Sequence, residues 1–263
     1  GAEEYYGGAA ADWLSRRNKG AQLDGNDVTL RDSRLMGVTS GIGVSGTGAQ
    51  VIGNEVRGFS KDGMRVINSN ALIRGNTIRD CIKVDKNHPD GIQSWARRGG
   101  APDLVQGVVV ENNRIIQWTG PENPLTCGLQ GISLFNGPYE SWLIQNNLVL
   151  VTAHQGIALY DVRDSRVVNN TVSHLLGTPG KQPWIRLKPG RVADGNVVAN
   201  NIAQAIHVGK EAWPWPNAVL QNPAREFRDI GRGDYRLAPG SRYANRADPR
   251  AAPNRGIDGA ARP

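Results

Sequence analysis

The sequence predicts an all-β fold, a single-domain right-handed parallel β-helix. Two short repeated sequence motifs, here called phrases, alternate along the chain and support this prediction, as does a high content of turn-forming residues. Among the 263 residues are 33 glycines and 15 prolines. Glycine and proline punctuate turns, so the chain is expected to bend often and to contain few long helices.

The first phrase ends in an asparagine that follows two or three apolar residues. It occurs six times, at Asn54, Asn76, Asn113, Asn147, Asn170 and Asn201. Successive positions are 22, 37, 34, 23 and 31 residues apart. The short spacings indicate one bare coil, and the longer ones indicate coils that carry loops. The asparagines are expected to stack at the ~4.8 Å spacing of adjacent strands, in corners where asparagine tolerates the αL conformation.

The second phrase has an apolar residue in third place and, apart from Ser94, in fifth place, and both places are predicted to point inward. It is read at "DGMRV" (62–66), "DGIQS" (90–94), "QGISL" (130–134), "QGIAL" (155–159) and "PWIRL" (183–187). Alternation with a period of two is typical of a half-buried strand. One outward line is therefore predicted to contain Arg65, Gln93, Ser133, Ala158 and Arg186. The next contains Ile67, Trp95, Phe135, Tyr160 and Lys188.

The two ends depart from the repeat, as the caps of a solenoid must. Residues 1–20 are predicted to form an N-terminal cap, with a short helix whose Trp13 and Leu14 cover the first coil. Residues 21–206 are predicted to form the β-helix. Residues 207–263 are predicted to pack along it as a loop-rich tail, in which Trp213 and Trp215 serve packing.

Composition and charge favour some classes of binding partner for this protein and argue against others. The net charge of +7 favours a polyanion. The basic residues are scattered and no nucleic-acid-binding motif is present, so no nucleic acid is expected. No apolar run is long enough for a membrane span, so no membrane partner is expected. Cys81 and Cys127 either pair or stay free, and their scarcity favours export. We expect a monomer that is secreted, periplasmic or cell-surface, with its signal peptide already removed.

The exposed face of the second-phrase strands is the predicted site. Loops inserted on both sides, including 81–89, 96–107 and 119–128, are expected to wall an open groove there. The candidate catalytic residues are His88, Asp90, His154, Arg65, Lys188 and Tyr160. The candidate substrate-binding residues are Gln93, Trp95, Arg97, Gln130, Arg186 and Lys83.

Several motifs resemble those of secreted β-helix enzymes that act on carbohydrates, the pectate-lyase-like superfamily, over roughly residues 25–206. "NHPDGIQ" (87–93) is similar to the "NTDGID" of polygalacturonase-type hydrolases, which implies a catalytic role for Asp90. "IRLK" (185–188) is similar to the "RIK" of that family, which implies contacts from Arg186 and Lys188 to a substrate carboxylate. "DYRLAPGSRYAN" (234–245) resembles an ending common in bacterial secreted β-helix proteins.

The chemistry expected in this groove is β-elimination on an acidic, uronate-containing polysaccharide. Hydrolysis needs two carboxyl groups at a fixed separation, and this chain has Leu129-Gln130 where the hydrolases carry paired aspartates. Elimination needs a group that neutralises the uronate, from Arg65, Arg97 or Arg186, and a base. His88, His154, Lys83 or Lys188 could be that base, and Tyr160 the acid.

Other functions stay open at this point. One alternative is a non-catalytic carbohydrate-binding, adhesion or phage-type receptor β-helix, which would have the same groove. A glycoside hydrolase or C5-epimerase is the third possibility after the lyase and the binding protein, although the "DPHD" signature of the alginate epimerases is not present. No cofactor is required. Binding of calcium is only a weak expectation, because the acidic residues that could be its ligands are few. They are Asp85, Asp90 and Asp103.

Overall fold

The protein is a stack of coils, and each coil except the last contributes one strand to each of three parallel sheets. This computed structural model describes residues 8–15, 18–97, 100, 102–180, 182–189, 195–209 and 216–257. A short helix, α1 (Ala10–Ser15), precedes the first coil.

The strands follow one another coil by coil. The first three coils contain β1 (Lys19–Leu23), β2 (Thr29–Arg31), β3 (Arg34–Val38), β4 (Ser40–Val44), β5 (Gln50–Ile52), β6 (Glu55–Phe59), β7 (Met64–Val66), β8 (Leu72–Arg74) and β9 (Thr77–Cys81). Coils four and five contain β10 (Asp90–Ser94), β11 (Val105–Gln106), β12 (Val109–Glu111), β13 (Arg114–Ile116), β14 (Gln130–Leu134), β15 (Tyr139–Glu140), β16 (Leu143–Gln145) and β17 (Leu148–Val151).

The last coils and the tail complete the chain. They contain β18 (Gln155–Arg163), β19 (Arg166–Val168), β20 (Thr171–His174), β21 (Trp184–Pro189), β22 (Val197–Ala199), β23 (Ile202–Ala203), β24 (Ala205–Val208) and β25 (Ala218–Val219). The tail forms α2 (Pro223–Glu226), β26 (Phe227–Asp229), a 3-10 turn (Ile230–Arg232) and β27 (Asp234–Leu237).

The three sheets are parallel and in register. Sheet A has the order β1-β4-β7-β10-β14-β18-β21-β24, and β11 and β15 pair alongside the second half of β18. Sheet B runs from β2 to β22, and sheet C from β3 to β25. Ile92 pairs with Met64 on one side and with Ile132 on the other. These inward side chains are fully buried in one continuous core, which confirms the predicted alternation.

A ladder of asparagines runs through the corner between sheets B and C. Asn113 donates through Nδ2 to Asn147 Oδ1 (3.0 Å) and to the carbonyl of Ile73 (2.9 Å). Its own Oδ1 accepts from the backbone N and the Nδ2 of Asn76. All six predicted asparagines make this pattern, and it continues to Asn217.

Two details of the predicted repeat were wrong. The αL conformation belongs to the residue before each ladder asparagine, for example Asn112 (φ 56°) and Asn146 (φ 55°). The ladder asparagine instead directs its amide along the stack. The repeat also runs past Ile206, because Asn217 and β25 form part of a further coil.

The glycine of the second phrase is explained by a close approach between coils. A Cβ on Gly131 would lie 2.0 Å from the carbonyl oxygen of Gly156 and 2.5 Å from Val149 Cγ1. A Cβ on Gly41 would likewise lie 2.0 Å from the carbonyl oxygen of Gly63. At these coils the strand of sheet A can therefore pass close to its neighbours only because the residue carries no side chain.

We expect Gly131→Ala to destabilise the fold by about 1–3 kcal/mol, because overpacking displaces the backbone. Gly128→Ala is the matched control, since a Cβ at Gly128 meets no atom within 4 Å. The urea midpoint of each variant measures the effect. Equal midpoints for the two variants would contradict this explanation of the glycine.

The N-terminal helix does not cover the first coil as predicted. Trp13 is buried against Ile82 in a cluster that includes Trp118 and Leu125, at the side of the β-helix. Leu14 is exposed. The apolar face of α1 thus packs on the inserted loops. No helix in the described part of the chain combines the length and the apolar character needed to cross a membrane.

The tail packs along the outside of the coils. Phe227 and Tyr235 contact Leu150 on the outer face of sheet C, and the Tyr235 hydroxyl donates to the carbonyl of Leu175 (3.0 Å). Farther on, Asn200 and Asp248 exchange two hydrogen bonds. The predicted packing of Trp213 and Trp215 falls outside the described residues.

Candidate functional site

The outer face of sheet A carries an open cleft across coils three to six. Its volume is about 710 Å³. The lining residues are Arg65, Asn87, His88, Gln93, Ser94, Trp95, Gln130, Phe135, Asn136 and Gln155. Five of the predicted site residues, Arg65, His88, Gln93, Trp95 and Gln130, therefore share one surface.

A disulfide joins two of the loops beside this cleft. Cys81 at the end of β9 is bonded to Cys127, and both are buried. The backbones on either side of the bond also pair, because Lys83 N donates to the carbonyl of Leu125 (2.6 Å). The loop that leads to His88 is thus fixed to the loop that leads to Gln130.

A histidine–aspartate pair adjoins the cleft, which His88 lines. His88 Nδ1 is 3.4 Å from Asp90 Oδ2, and Gln93 Nε2 donates to the same oxygen (2.8 Å). The backbone N of Asp90 donates to Asp62 Oδ1 (3.2 Å). The Asp90 side chain has no exposed surface, whereas 63% of the His88 side chain is exposed. The buried carboxylate therefore orients an accessible imidazole.

Each member of the pair changes the proton affinity of the other. Burial raises the pKa of Asp90 above its usual value, and the hydrogen bond with His88 opposes this rise. The hydrogen bond to Asp90 raises the pKa of His88, and partial burial of the ring opposes that rise. Because its pKa is raised, the neutral ring is a stronger base than an ordinary histidine. With Nδ1–H directed at Asp90, Nε2 is the atom left to accept a proton.

Arg65 is held by two partners. Its Nε donates to Asp62 Oδ2 at 2.5 Å, and its guanidinium carbon lies 5.3 Å from the centre of the Trp95 ring. Asp62 is buried. The charge of Arg65 is therefore balanced within the protein, and its position supports the Trp95 ring at the edge of the cleft.

The comparison with protein families agrees with this architecture. The family model described as "Right handed beta helix region" matches residues 19–185, more than half of the chain. The chain belongs to the right-handed β-helix family. The predicted fold class is thereby confirmed, whereas membership of the family assigns no reaction to the cleft.

Other comparisons add no functional information. No curated protein matches the chain. A solved structure, that of HetL, a pentapeptide repeat protein involved in heterocyst differentiation regulation from the cyanobacterium Nostoc sp., is 11% identical. That alignment covers 78% of this chain and 88% of HetL at a TM-score of 0.15, too low a similarity to carry an argument.

Several exposure predictions for this β-helix face were wrong. Asp90, a candidate on the predicted exposed face, is buried, and so is Asp62 at the equivalent place in the preceding coil. Ser133 and Ala158 occupy the predicted outward line but have no exposed surface, and the Ser133 hydroxyl donates to Gln130 Oε1 (3.4 Å). Small residues on a sheet face are covered when their neighbours have longer side chains.

Four predicted residues lie near the cleft without lining it. Tyr160 stacks on Phe135, with ring centres 5.4 Å apart. Lys83 donates through Nζ to the carbonyl of Asn87. His154 is exposed, and its ring centre lies 4.7 Å from that of Trp184. Arg97 occupies a bend of the backbone with φ 60°. We therefore do not assign the base to Lys83 or His154.

Arg186 and Lys188 lie on a different part of the face. With His207 they line a shallow depression of about 460 Å³. Their strand, β21, is three strands from β10 in sheet A, which corresponds to roughly 14 Å. The Arg186 guanidinium stacks on Trp184 (4.5 Å). This distance separates Lys188 from the histidine–aspartate pair, so its predicted catalytic role is not supported.

The cleft also contains residues that the candidate set did not include. Asn87 and Asn136 lie in inserted loops, Ser94 and Gln155 lie in the repeat phrases, and Phe135 directly follows one of them. The stacked line of Trp95, Phe135 and Tyr160 already indicated Phe135. No periodic signal indicated Asn87, because an insertion has no equivalent in the other coils.

The acids proposed for calcium do not form a metal site. Across the described ranges, no group of three or more His, Cys, Asp or Glu residues has the arrangement needed to hold a metal ion. Asp90 is committed to His88 and Gln93, and Asp85 Oδ1 accepts from the backbone N of Asn87. The donor set therefore does not fit calcium, which prefers six to eight oxygen ligands.

A second cavity of about 660 Å³ lies at the opposite corner, between the asparagine ladder and the tail. It is lined by ladder residues such as Asn170 and Asn201 and by tail residues such as Tyr243. It contains no histidine and no carboxylate. Of these two cavities, the sheet A cleft is the one that contains a histidine paired with a carboxylate.

Proposed function

We propose that the protein is a polysaccharide lyase that cleaves a uronate-containing chain by β-elimination in the sheet A cleft. The observation that carries this proposal is the accessible His88 ring held by the buried Asp90 carboxylate. An imidazole oriented in this way is suited to remove a proton from a bound substrate.

In the proposed reaction, neutral His88 removes the C5 proton of a uronate unit through Nε2. The electron pair of the C5–H bond forms the C4=C5 double bond, and the C4–O4 bond breaks. O4 leaves with a proton supplied by water. Tyr160 lies on β18, two strands and roughly 10 Å from β10. We therefore assign Tyr160 to substrate contact rather than to protonation of O4.

The flanking residues support a sugar polymer as the substrate. Trp95, Phe135 and Tyr160 follow one another along adjacent strands. Aromatic rings at this spacing offer apolar faces to successive pyranose rings. Gln93 and Gln130 beside them offer amide groups for sugar hydroxyls, and Arg186 and Lys188 can contact acidic groups farther along the chain.

The disulfide and the net charge support the proposed compartment and the proposed class of partner. The Cys81–Cys127 disulfide supports function in an oxidising compartment, such as the periplasm or the cell exterior. The net charge of +7 supports an anionic polymer as partner. We propose that a monomer acts on this polymer and that neither a metal nor another cofactor takes part.

Hydrolysis is less well supported by this geometry. A second carboxylate does occur on the coil before Asp90, where Asp62 accepts a hydrogen bond from the Asp90 backbone. Asp62 is buried and paired with Arg65. It is therefore not placed as a second free acid for a glycosidic oxygen.

The test is incubation with a panel of acidic polysaccharides, comprising alginates, pectates, glucuronans and bacterial exopolysaccharides. Elimination produces ultraviolet absorbance from the unsaturated uronate together with new reducing ends. New reducing ends without absorbance would identify a hydrolase. Binding without either product would identify the carbohydrate-binding alternative, and either result would reject the proposal.

A further inference from the structure

We propose that the side-chain amide of Asn87 binds the carboxylate of the reacting uronate and makes the site selective for free acids over esters. This inference rests on the proposed function, since it names the group that neutralises the substrate during proton removal. It assigns a substrate-binding role to a residue outside the repeat.

The first observation is an unpaired donor beside the base. Asn87 Nδ2 is buried and has no hydrogen-bond partner among the described residues. Asn87 lines the same cleft as His88, its neighbour in the chain. A primary amide carries two N–H donors, and leaving them unpaired in a buried position is unfavourable unless a ligand accepts them.

The second observation concerns the other donors of the cleft. Gln93 Nε2 donates to Asp90. Arg65 donates through Nε to Asp62, which balances its charge. His88 must be neutral to act as the base. Among the described residues that line the cleft, no cation is thus left without a compensating charge, and Asn87, next to His88 in the chain, has a side-chain amide nitrogen without a hydrogen-bond partner.

The loop holds the backbone of Asn87, and with it the base of the side chain, in place before a substrate arrives. The Asn87 carbonyl accepts from Lys83 Nζ, and the Asn87 backbone N donates to Asp85 Oδ1 (2.8 Å). The disulfide at Cys81 fixes the start of the same loop. A donor that is fixed in advance needs no reorganisation during the reaction.

The chemistry of elimination explains why this donor would matter. As the C5 proton leaves, and before the C4=C5 bond is complete, part of the electron density delocalises into the carboxylate, which gains negative charge. A hydrogen bond from Asn87 becomes stronger as that charge develops. An esterified uronate has one carbonyl oxygen and no initial charge, so it receives less stabilisation from the same amide.

The test compares Asn87→Ala with the isosteric Asn87→Asp on a polymer that the wild type cleaves, in its free-acid and methyl-ester forms. We expect Asn87→Ala to lower kcat/KM on the free acid by about 10²–10³-fold, the usual effect of losing one donor to a developing charge. The preference for the free acid should shrink by a similar factor. Asn87→Asp should lose more, because a carboxylate repels the substrate.

A purely structural role for Asn87 predicts the opposite order, since Asp preserves the shape of Asn and Ala does not. Lys86→Gln, an exposed substitution in the same loop, is the control and should behave as the wild type. Full activity and unchanged selectivity in Asn87→Ala would overturn the assignment. Absence of unsaturated product from the wild type would instead reject the proposed reaction itself.

Discussion

Asp90→Asn is expected to lower kcat for uronate cleavage by about 10²–10⁴-fold, the range that a positioned general base contributes. The substitution preserves the shape of the side chain. It removes the negative charge that orients the His88 ring and that makes its Nε2 basic. The loss should appear in kcat rather than in KM, because the buried carboxyl group does not reach the substrate.

The Asp90→Asn substitution should also shift the pH dependence of kcat, and the direction of that shift follows from the pKa of His88. The hydrogen bond to Asp90 raises the pKa of His88 above the ordinary histidine value of about 6.5. Wild-type activity should therefore rise with pH through that raised pKa, as His88 loses its proton. Without the Asp90 charge the pKa of His88 falls, so the acidic limb of the Asp90→Asn profile should move to lower pH.

Measurement of kcat between pH 5 and 9 tests both effects, with Asp103→Asn as control. Asp103 is an exposed carboxylate on a nearby loop and does not line the cleft. The control should retain the wild-type profile. An Asp90→Asn profile that is lower everywhere but keeps its acidic limb in place would show that His88 is not the titrating base.

Asn113→Ala is expected to reduce the free energy of unfolding by about 3–5 kcal/mol, as several buried partners lose a bond worth about 1–3 kcal/mol each. Without its amide, the backbone N and Nδ2 of Asn76 lose their shared acceptor. The carbonyl of Ile73 loses its donor. These groups are buried, so water cannot replace the lost bonds.

The adjacent asparagine is the matched control for this prediction. Asn112 lies in the αL region (φ 56°), where glycine is accepted without strain. Asn112→Gly should therefore shift the unfolding free energy by no more than about 0.5 kcal/mol. Urea unfolding of both variants gives the comparison, and similar losses for the two would contradict the ladder account.

The sequence was sufficient to predict the scaffold because each coil repeats the same physical requirement. A buried asparagine such as Asn147 must find partners in the coils before and after it, so its spacing reports the repeat directly. The inward position of Ile92 follows from alternation along its strand. Both features are determined by residues within one coil and its neighbours.

The site was less predictable because it depends on departures from the repeat. Asp90 lies two residues before the inward Ile92 and is buried like it, but its contacts with His88 and Gln93 could not be read from the repeat. The pairing of Asp62 with Arg65 depends on side-chain direction within one coil. Asn87 lies in an insertion, whose conformation depends on a disulfide that cysteine spacing could not establish.

The most direct test of the central claim is a crystal structure of the Asp90→Asn variant with an acidic oligosaccharide bound. The account predicts a uronate unit over the sheet A cleft, with its C5 hydrogen directed at His88 Nε2 and its carboxylate at Asn87. The neighbouring sugar should lie against Trp95. An oligosaccharide bound elsewhere, or one whose C5 hydrogen points away from His88, would contradict the account.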